Sequence, residues 1–196
     1  MGRTAKTTST TKNHDDMLSQ DQQQQLHYND RLIYLSGDVT EASISQVIGG
    51  ILSLTSVNAK APITLVVSTY GGSVHEMFSL YDIMKYVPCP VRTVGIGKIM
   101  SAGVLIMAAG EKGSRLIGRN TRVMIHSISS EAYGTVFELS NSIDSINKEQ
   151  EMANAALIAE TKMSRQTLNK LLDKNVDKYI TAQEAIKLGI ADKIIG

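Results

Sequence analysis

Residues 63–110 read ITLVVSTYGGSVHEMFSLYDIMKYVPCPVRTVGIGKIMSAGVLIMAAG, and this stretch decides the fold class. ITLVVS (63–68) and VRTVGI (91–96) are apolar, of strand length and rich in β-branched residues. Such continuous runs are typical of strands in a parallel sheet that is covered on both faces. The residues after Gly71-Gly72 carry apolar side chains at helical spacing. SAGVLIMAAG, after the second run, is apolar on nearly all sides and predicts a buried helix.

The flanking segments continue the alternation of strand and helix. RLIYLSGDV, from Arg31, predicts a strand that ends at a glycine turn, and the short runs RLIG and RVMIH predict two more. A helix is predicted after the first strand, and its apolar face consists of Ile44, Val47, Ile48, Ile51 and Leu52. This order predicts right-handed βαβ units on a mostly parallel sheet, an α/β fold.

The pattern becomes helical beyond residue 135. Thr135 and Glu138 fit a capping box that opens a long helix, predicted to run to about residue 160. Its apolar stripe is Val136, Leu139, Ile143, Ile146, Ala153 and Leu157. Thr181 and Glu184 form a second capping box, Gly189 is a suitable residue to end that helix, and IADKIIG predicts a final strand.

The composition is that of one soluble domain. The chain has 196 residues, 42% hydrophobic and 20% charged, with a formal net charge of +1. This balance gives no electrostatic reason to expect nucleic acid or a membrane surface as a partner. No apolar run approaches the ~20 residues that span a bilayer, and the first residues lack the apolar core of a secretory signal. We therefore expect a cytoplasmic protein, or one of the equivalent organellar compartment.

Two further features of the sequence are a polar N-terminal segment and a single cysteine. Residues 1–28 are polar and include the run Gln22–Gln25, so we predict a flexible tail there and a folded domain over residues 29–196. A single cysteine, Cys89, excludes an internal disulfide and a multi-cysteine metal site. No metal or cofactor is predicted.

Ser101 is the candidate nucleophile, because it follows a predicted strand and opens the buried helix. A helix N-terminus presents unpaired N–H groups and a partial positive charge, which favour a developing oxyanion. The alternative is that Ser101 only caps the helix, since serine is a favoured N-cap residue.

Gly71-Gly72 lies at the end of the neighbouring predicted strand. Two glycines allow the backbone to approach a ligand closely, although a simple tight turn needs no ligand. Parallel strands end at the same edge of a sheet, where open α/β sheets bind ligands. The N–H groups of Gly72 and Ala102 are therefore candidate donors for one oxyanion.

A general base must be a histidine here, and the chain has four. His14 and His27 fall in or beside the polar tail, and His75 lies in the first turn of a predicted helix. His126 ends the strand RVMIH at the same predicted sheet edge, so it is our candidate, with a structural histidine as the alternative. Asp173 and Asp177 are candidates to orient it; they are four residues apart, so a helix would put both on one face, and spacing alone cannot choose between them. Asp144, in the predicted long helix, is the weaker candidate.

These stretches together resemble the ClpP family, the proteolytic subunit of the ATP-dependent Clp protease. The matching segments are RLIYLSGDVT, VVSTYGGSVHEMFSLYDIMKYV, VGIGKIMSAGVLIMAAGEKGSRL, RVMIH and DKYITAQEAIKLGIADKII. They cover roughly residues 31–126 and 168–195. The resemblance implies that Ser101 is the nucleophile, His126 the base and Asp173 its orienting carboxylate, with Asp177 matching a second aspartate. It also implies the oxyanion donors Gly72 and Ala102.

The resemblance implies an architecture and partners as well. The family fold is a crotonase-type ββα superhelix with a long handle helix, which residues 135–160 resemble. Handles interlock two heptameric rings with the active sites inside, so a homo-oligomer is expected. Substrates would be unfolded polypeptides supplied by an AAA+ Clp ATPase.

Four departures from the family pattern stand out. Tyr70 replaces a proline before the Gly-Gly turn, and Ile99-Met100 replace small residues before the nucleophile, where they are expected to narrow the pocket. The segment SISSEAYG after His126 lacks the usual glycines and proline. The segment before the first strand, SQDQQQQLHYND, does not match the region that builds the axial pore and helps to dock the ATPase.

Two alternative functions belong to other classes. A non-catalytic subunit of a Clp-type ring would have the same fold, but inactive paralogues typically lose a catalytic residue, and all are present here. An acyl-CoA hydratase or isomerase of the crotonase fold would act through glutamates, and none lies at the predicted strand ends near Gly71 or Ser101.

Overall fold

The computed structural model describes residues 31–173 and 176–196. The predicted tail, residues 1–28, and its boundary with the folded domain lie outside this range and stay predictions. Among the described residues, none of the helices combines the length and the apolar composition that crossing a bilayer requires.

The described chain forms a mixed α/β structure, as the sequence predicts. The strands are β1 (Leu32–Ser36), β2 (Ile63–Thr69), β3 (Val91–Met100), β4 (Arg115–Gly118), β5 (Arg122–Ile125), β6 (Lys178–Ile180) and β7 (Lys193–Ile195). The helices are α1 (Glu41–Val57), α2 (Val74–Tyr86), α3 (Ala102–Ala108), α4 (Val136–Glu160), α5 (Arg165–Leu172) and α6 (Ala182–Leu188).

The sheet is parallel along its main path, in the order β1-β2-β3-β4-β7. β5 leaves this path, because it pairs with β3 in parallel and with β6 in antiparallel orientation. The prediction of a mostly parallel sheet is therefore confirmed, and the single antiparallel pair, β5 with β6, was not predicted.

β3 is longer than predicted, since it runs on from residue 96 to Met100. Its pairing with β2 shifts register between Val67 and Thr69, and Gly97 within the irregular stretch has a φ of +67°. Glycine adopts this left-handed conformation without a steric penalty. The bend divides β3 between two neighbours: Thr93 to Gly95 pair with β4, and Lys98 to Met100 pair with β5.

The apolar patterns of β2, α1 and α3 pack as predicted, apart from Leu52. β2 alternates between fully and partly buried residues, and every residue of α3 is buried. α1 buries Ile44, Val47 and Ile51, whereas Leu52 is 43% exposed. Each helical residue is rotated by about 100° from the previous one, which places Leu52 beside the buried face rather than on it.

Both predicted capping boxes are present. The Thr135 side chain accepts from the Glu138 N–H while the Glu138 carboxylate accepts from the Thr135 N–H, and Thr181 with Glu184 repeats the arrangement at α6. Gly189 ends α6 in the left-handed conformation. The helix over residues 136–160 therefore begins and ends where the sequence predicts.

Arg115 joins four parts of the fold from a buried position. Its guanidinium donates to both carboxylate oxygens of Asp192, and also to the carbonyls of Ala108 and Glu160. Only 4% of the Arg115 side chain is exposed. These hydrogen bonds tie β4 to the segment before β7 and to the C-terminal ends of α3 and α4.

Candidate active site

Ser101 is the single residue between β3 and α3, at the turn where the strand passes into the helix. Its φ of +52° and ψ of −122° are strained for a residue with a side chain, and Arg31 is the other non-glycine residue with positive φ in the described part of the chain. Its N–H donates to the Met124 carbonyl at 2.9 Å, which ties this turn to β5. Strain at a strand-to-helix turn exposes the side chain at the sheet edge.

The Ser101 hydroxyl does not cap α3. No hydrogen bond joins its Oγ to the helix N–H groups; instead, Oγ lies 2.8 Å from Nε2 of His126. The expectation that these two atoms approach hydrogen-bond distance is confirmed, and the simple N-cap explanation of Ser101 is wrong. With Nε2 unprotonated, the serine O–H donates to the ring, the arrangement that nucleophile activation requires.

The backbone explains why His126 is in reach. β5 pairs with the last residues of β3 so that Met100 lies opposite Met124. The two strands end together, and the residues that follow, Ser101 and His126, emerge at the same edge. His126 is 25% exposed, so the imidazole stands at the wall of a cavity rather than in the core.

The carboxylate beside His126 belongs to Asp177 and not to Asp173. Asp177 Oδ1 lies 3.4 Å from Nδ1 of His126, and the aspartate side chain is 49% exposed. This distance is longer than an ideal N–H···O bond. It still places a negative charge against the nitrogen that must keep its proton while Nε2 accepts one.

The register of β6 on β5 explains why Asp177 faces His126. The pairs Val123 with Ile180 and Ile125 with Lys178 continue to place residue 177 opposite residue 126. Asp173 lies at the C-terminal end of α5, exposed at a surface depression that it shares with Asn169 and Lys170. No hydrogen bond or ion pair joins Asp173 to a described residue, and the carboxylate that faces His126 in this structure is that of Asp177.

The Gly71-Gly72 turn packs directly against Ser101. A Cβ added to Gly71 would lie 2.6 Å from the Ser101 Cβ and 2.9 Å from the Met100 carbonyl oxygen. Gly71 and Gly72 also have φ values of +101° and +146°, which disfavour any side chain. Only glycine therefore allows this turn to reach the serine.

The expected oxyanion donors belong to residues that border the same cavity as the Ser101 hydroxyl. Gly72 and Ala102 both line the cavity that contains Ser101 and His126. Within the described residues, neither N–H donates to a protein acceptor. At the glycine turn, the two hydrogen bonds with Val39 are made by the Gly71 carbonyl and the Ser73 N–H, so the Gly72 N–H takes no part in them. Two unpaired backbone donors at a nucleophile are suited to stabilise a tetrahedral oxyanion.

The cavity has a volume of about 280 Å³. Its walls are mainly apolar and include Val74, Met77, Leu105 and Leu157, while Gln150 and Asn154 supply polar groups. Tyr70 lies at its rim, with the Lys98 ammonium 4.6 Å from the ring centre. Ile99 is fully buried, and neither Ile99 nor Met100 lines this cavity, so the expected narrowing by these two residues is wrong.

Two parts of the site were not predicted from the sequence. Gln150 and Asn154 reach the cavity from α4, and their polar positions in an amphipathic helix look like solvent-facing ones. β6 is three residues long and begins with a lysine, so no apolar run indicates a strand there.

Among the described residues, no group of three histidine, cysteine or carboxylate side chains is arranged to hold a metal ion.

Known proteins are similar to this chain over most of its length. The family model described as Clp protease matches residues 14–196. The chain is 31% identical over 165 residues to the ATP-dependent Clp protease proteolytic subunit 2 of Thermobifida fusca, covering 84% of this chain and 80% of that protein. It is 32% identical over 170 residues to the ATP-dependent Clp protease proteolytic subunit 1 of Cutibacterium acnes, covering 86% and 78%.

Proposed function

This chain belongs to the Clp protease family, and on that premise we propose that it is a serine endopeptidase with Ser101 as nucleophile and His126 as general base. The observation that carries the assignment is the 2.8 Å contact between Ser101 Oγ and His126 Nε2. It occurs at a strained serine whose hydroxyl is free of any capping role. Strain and a direct contact with a base are the properties of an activated nucleophile.

The proposed reaction follows from the positions of these groups. Ser101 Oγ attacks the carbonyl carbon of the peptide bond while its proton passes to Nε2 of His126. The N–H groups of Gly72 and Ala102 donate to the resulting oxyanion. The imidazolium returns the proton to the departing amine, which leaves an acyl-enzyme, and a water activated by His126 then releases the acid and regenerates Ser101.

Asp177 takes the orienting role in this mechanism. Its carboxylate faces Nδ1 and keeps the proton on that nitrogen, so that Nε2 is free to accept the serine proton. The negative charge also stabilises the imidazolium that forms after attack. Asp173, the residue that the resemblance indicates for this role, is exposed beside Asn169 and Lys170 and is treated as a surface residue in this proposal.

The substrate side chain preceding the cleaved bond fits the cavity beside Ser101. Its apolar walls favour residues such as leucine and methionine, because burying apolar surface there is favourable by ~25 cal/mol per Å². An unfolded polypeptide meets the additional need for an extended backbone that can reach a nucleophile held at the end of two strands.

We also propose a ring-shaped homo-oligomer that receives unfolded chains from an AAA+ Clp ATPase. The names of the two relatives, proteolytic subunits of ATP-dependent proteases, support this assignment. The first half of α4 supports it too, since Val136 and Phe137 are 81% and 85% exposed and suit an interface. Two stacked heptameric rings, and the cytoplasm or an equivalent organellar compartment, complete the proposal.

Hydrolysis of a fluorogenic peptide with a leucine or methionine before the cleaved bond tests the function. The wild type is expected to cleave it, and Ser101→Ala to lower kcat/KM by about 10³-fold or more with the assembly unchanged. Ser56→Ala, an exposed serine at the end of α1, is the matched control and should behave as the wild type.

The same assay separates the alternatives. An assembled wild type without peptidase activity would favour a non-catalytic ring subunit. Turnover of an acyl-CoA thioester by that protein would instead favour the crotonase-type activity. Retained peptide cleavage by Ser101→Ala would show that another residue is the nucleophile.

A further inference from the structure

The segment that follows His126 has no regular secondary structure of its own to hold it in place. Residues 127–134 form neither helix nor strand, yet Ile128 and Ser129 line the cavity beside the imidazole. The Ile128 N–H is partly buried, and a buried backbone donor without an acceptor is costly. This segment begins with the residue directly after His126, so a support for the segment also restrains the C-terminal side of the histidine.

Gln150 supplies the missing acceptor from α4. The Ile128 N–H donates to Gln150 Oε1 at 2.7 Å, across a separation of 22 residues in sequence. This is a short bond for an amide acceptor. It is the contact through which α4 fixes the chain two residues beyond His126.

The amide of Gln150 is itself held in one orientation. Its Nε2 donates at 2.9 Å to Oδ1 of Asn154, one helical turn further along α4, and Asn154 is 4% exposed. Because the nitrogen of the Gln150 amide is committed to Asn154, the oxygen must face Ile128. A side chain fixed at both ends suits positioning better than flexible contact with substrate.

The same network extends from Gln150 to α5. Asn154 Nδ2 lies 3.4 Å from Oε1 of Glu151, and Oε2 of Glu151 accepts from Arg165 at 2.6 Å, at the beginning of α5. α5 leads into the segment that carries Asp177. α4 therefore contacts both the segment after His126 and the helix before Asp177.

We propose that Gln150 is a positioning residue for the active site: through the Ile128 N–H it holds His126 between Ser101 and Asp177. The proposal rests on the serine peptidase function above. It predicts that loss of the Gln150 acceptor slows activation of Ser101, even for a reagent too small to fill the cavity.

Three variants test the role. Gln150→Met has a similar length but no acceptor, and Gln150→Asn is too short to reach Ile128, so both should lose the hydrogen bond. Gln150→Glu loses the donor to Asn154 but keeps an acceptor oxygen of the same reach, so it should retain the hydrogen bond from the Ile128 N–H. Gln183→Met, at an exposed glutamine of α6, is the matched control.

The readout is the second-order rate of labelling by a small fluorophosphonate, together with kcat and KM for the fluorogenic peptide. Each variant is first compared with the wild type for assembly size and thermal unfolding. We expect labelling and kcat to fall about tenfold or more in Gln150→Met and Gln150→Asn, with KM changing less. Gln150→Glu should lie within about threefold of the wild type, and Gln183→Met should match it.

The outcomes distinguish failure of the positioning role from failure of the proposed peptidase function. If Gln150→Met does not assemble, Gln150→Asn carries the test. A wild type that is labelled, with Gln150→Asn labelled equally fast, would overturn the positioning role and leave the peptidase function intact. A change confined to KM would overturn it too, because Gln150 would then act only as a wall of the substrate pocket. A wild type that is not labelled contradicts the peptidase function itself.

Discussion

The two aspartates of the segment DKNVDK differ in their backbone surroundings more than in their chemistry. Asp173 follows directly on α5, with a φ of −60° and a ψ of 142°, whereas Asp177 precedes β6 and lies opposite His126. Their spacing of four residues would put both on one face of a helix. α5 ends at Leu172, so that premise fails and the antiparallel register decides instead.

Exchange of each carboxylate for an amide tests this assignment. Asp177→Asn is expected to lower kcat by about 10²-fold or more, because the amide neither fixes the Nδ1 tautomer nor stabilises the imidazolium. Asp173→Asn is expected to stay within about twofold of the wild type. The measurement is peptide hydrolysis at saturating substrate, with assembly size as the control for folding.

The reverse pattern would contradict the geometry. A large loss in Asp173→Asn with little change in Asp177→Asn would mean that the segment after α5 rearranges to bring Asp173 to His126. Equal losses in both variants would mean that the two carboxylates act together rather than in separate roles.

Single residues at strand ends were the most predictable part of the site. Ser101, His126 and Gly72 each follow a recognisable strand, and the rule that parallel strands end at one edge is enough to bring them together. Gln150 was not predictable in this way. Its contact with Ile128 depends on how α4 folds back on the sheet, and no local pattern records that.

At the scale of secondary-structure elements, apolar periodicity predicted the strands and helices that pack in the core. β3 exceeded its predicted length because Gly97 and Lys98 interrupt the apolar run while the backbone continues through the bend. α5 and β6 were missed since both are short and largely polar. Their position is set by tertiary contacts with α4 and β5.

The Arg115–Asp192 pair links several of these elements and gives a pH-dependent prediction. Hydrogen bonding from Arg115 lowers the pKa of Asp192 from 3.8 to about 2. A folded-state pKa below the unfolded value contributes stability above pH ~4, and this contribution is lost as the pH falls toward 2. Its size is about 2 kcal/mol.

Chemical denaturation at a fixed protein concentration tests this prediction. Asp192→Asn is expected to lower the free energy of unfolding by about 3–5 kcal/mol at pH 7, since Arg115 would remain buried without its counter-charge. The difference from the wild type should narrow by about 2 kcal/mol between pH 4 and pH 2, where the wild-type carboxylate becomes neutral.

Asp82→Asn is the control for this series. Its carboxylate is exposed on α2 and makes no ion pair with a described residue, so the substitution should leave the unfolding free energy nearly unchanged at every pH. A constant difference between Asp192→Asn and the wild type down to pH 2 would contradict the assigned pairing.

At the scale of the whole molecule, α4 divides into two halves with different surroundings. Ala153, Asn154 and Glu160 are buried against the domain, while Val136, Phe137 and Ile143 are exposed. The sequence predicted one continuous apolar stripe. The sequence could not indicate that only the second half of the stripe packs against the core of the same chain.

The exposed half of α4 predicts how subunits associate. Phe137→Ser should weaken the association between rings, because Phe137 is 85% exposed in the single chain and the substitution removes apolar surface from the proposed interface. Sedimentation velocity should then show a smaller assembly at micromolar concentration. Val57→Ser, at an 80% exposed valine outside this helix, is the control and should leave the size unchanged.

An unchanged assembly in Phe137→Ser together with dissociation in Val57→Ser would place the interface elsewhere. Loss of the assembly in Phe137→Ser would also permit a direct comparison of peptidase activity in the small and large forms. That comparison would show whether assembly affects the contact between Ser101 and His126.

The most direct test of the account is the covalent labelling of Ser101 itself. The assembled wild type is treated with a fluorophosphonate, and the modified residue is identified by mass spectrometry, alongside Ser101→Ala and His126→Ala. We expect one adduct per subunit, on Ser101, and none in either variant. A folded, assembled wild type that takes no adduct, or an adduct that persists in Ser101→Ala, would contradict the claim that His126 activates Ser101.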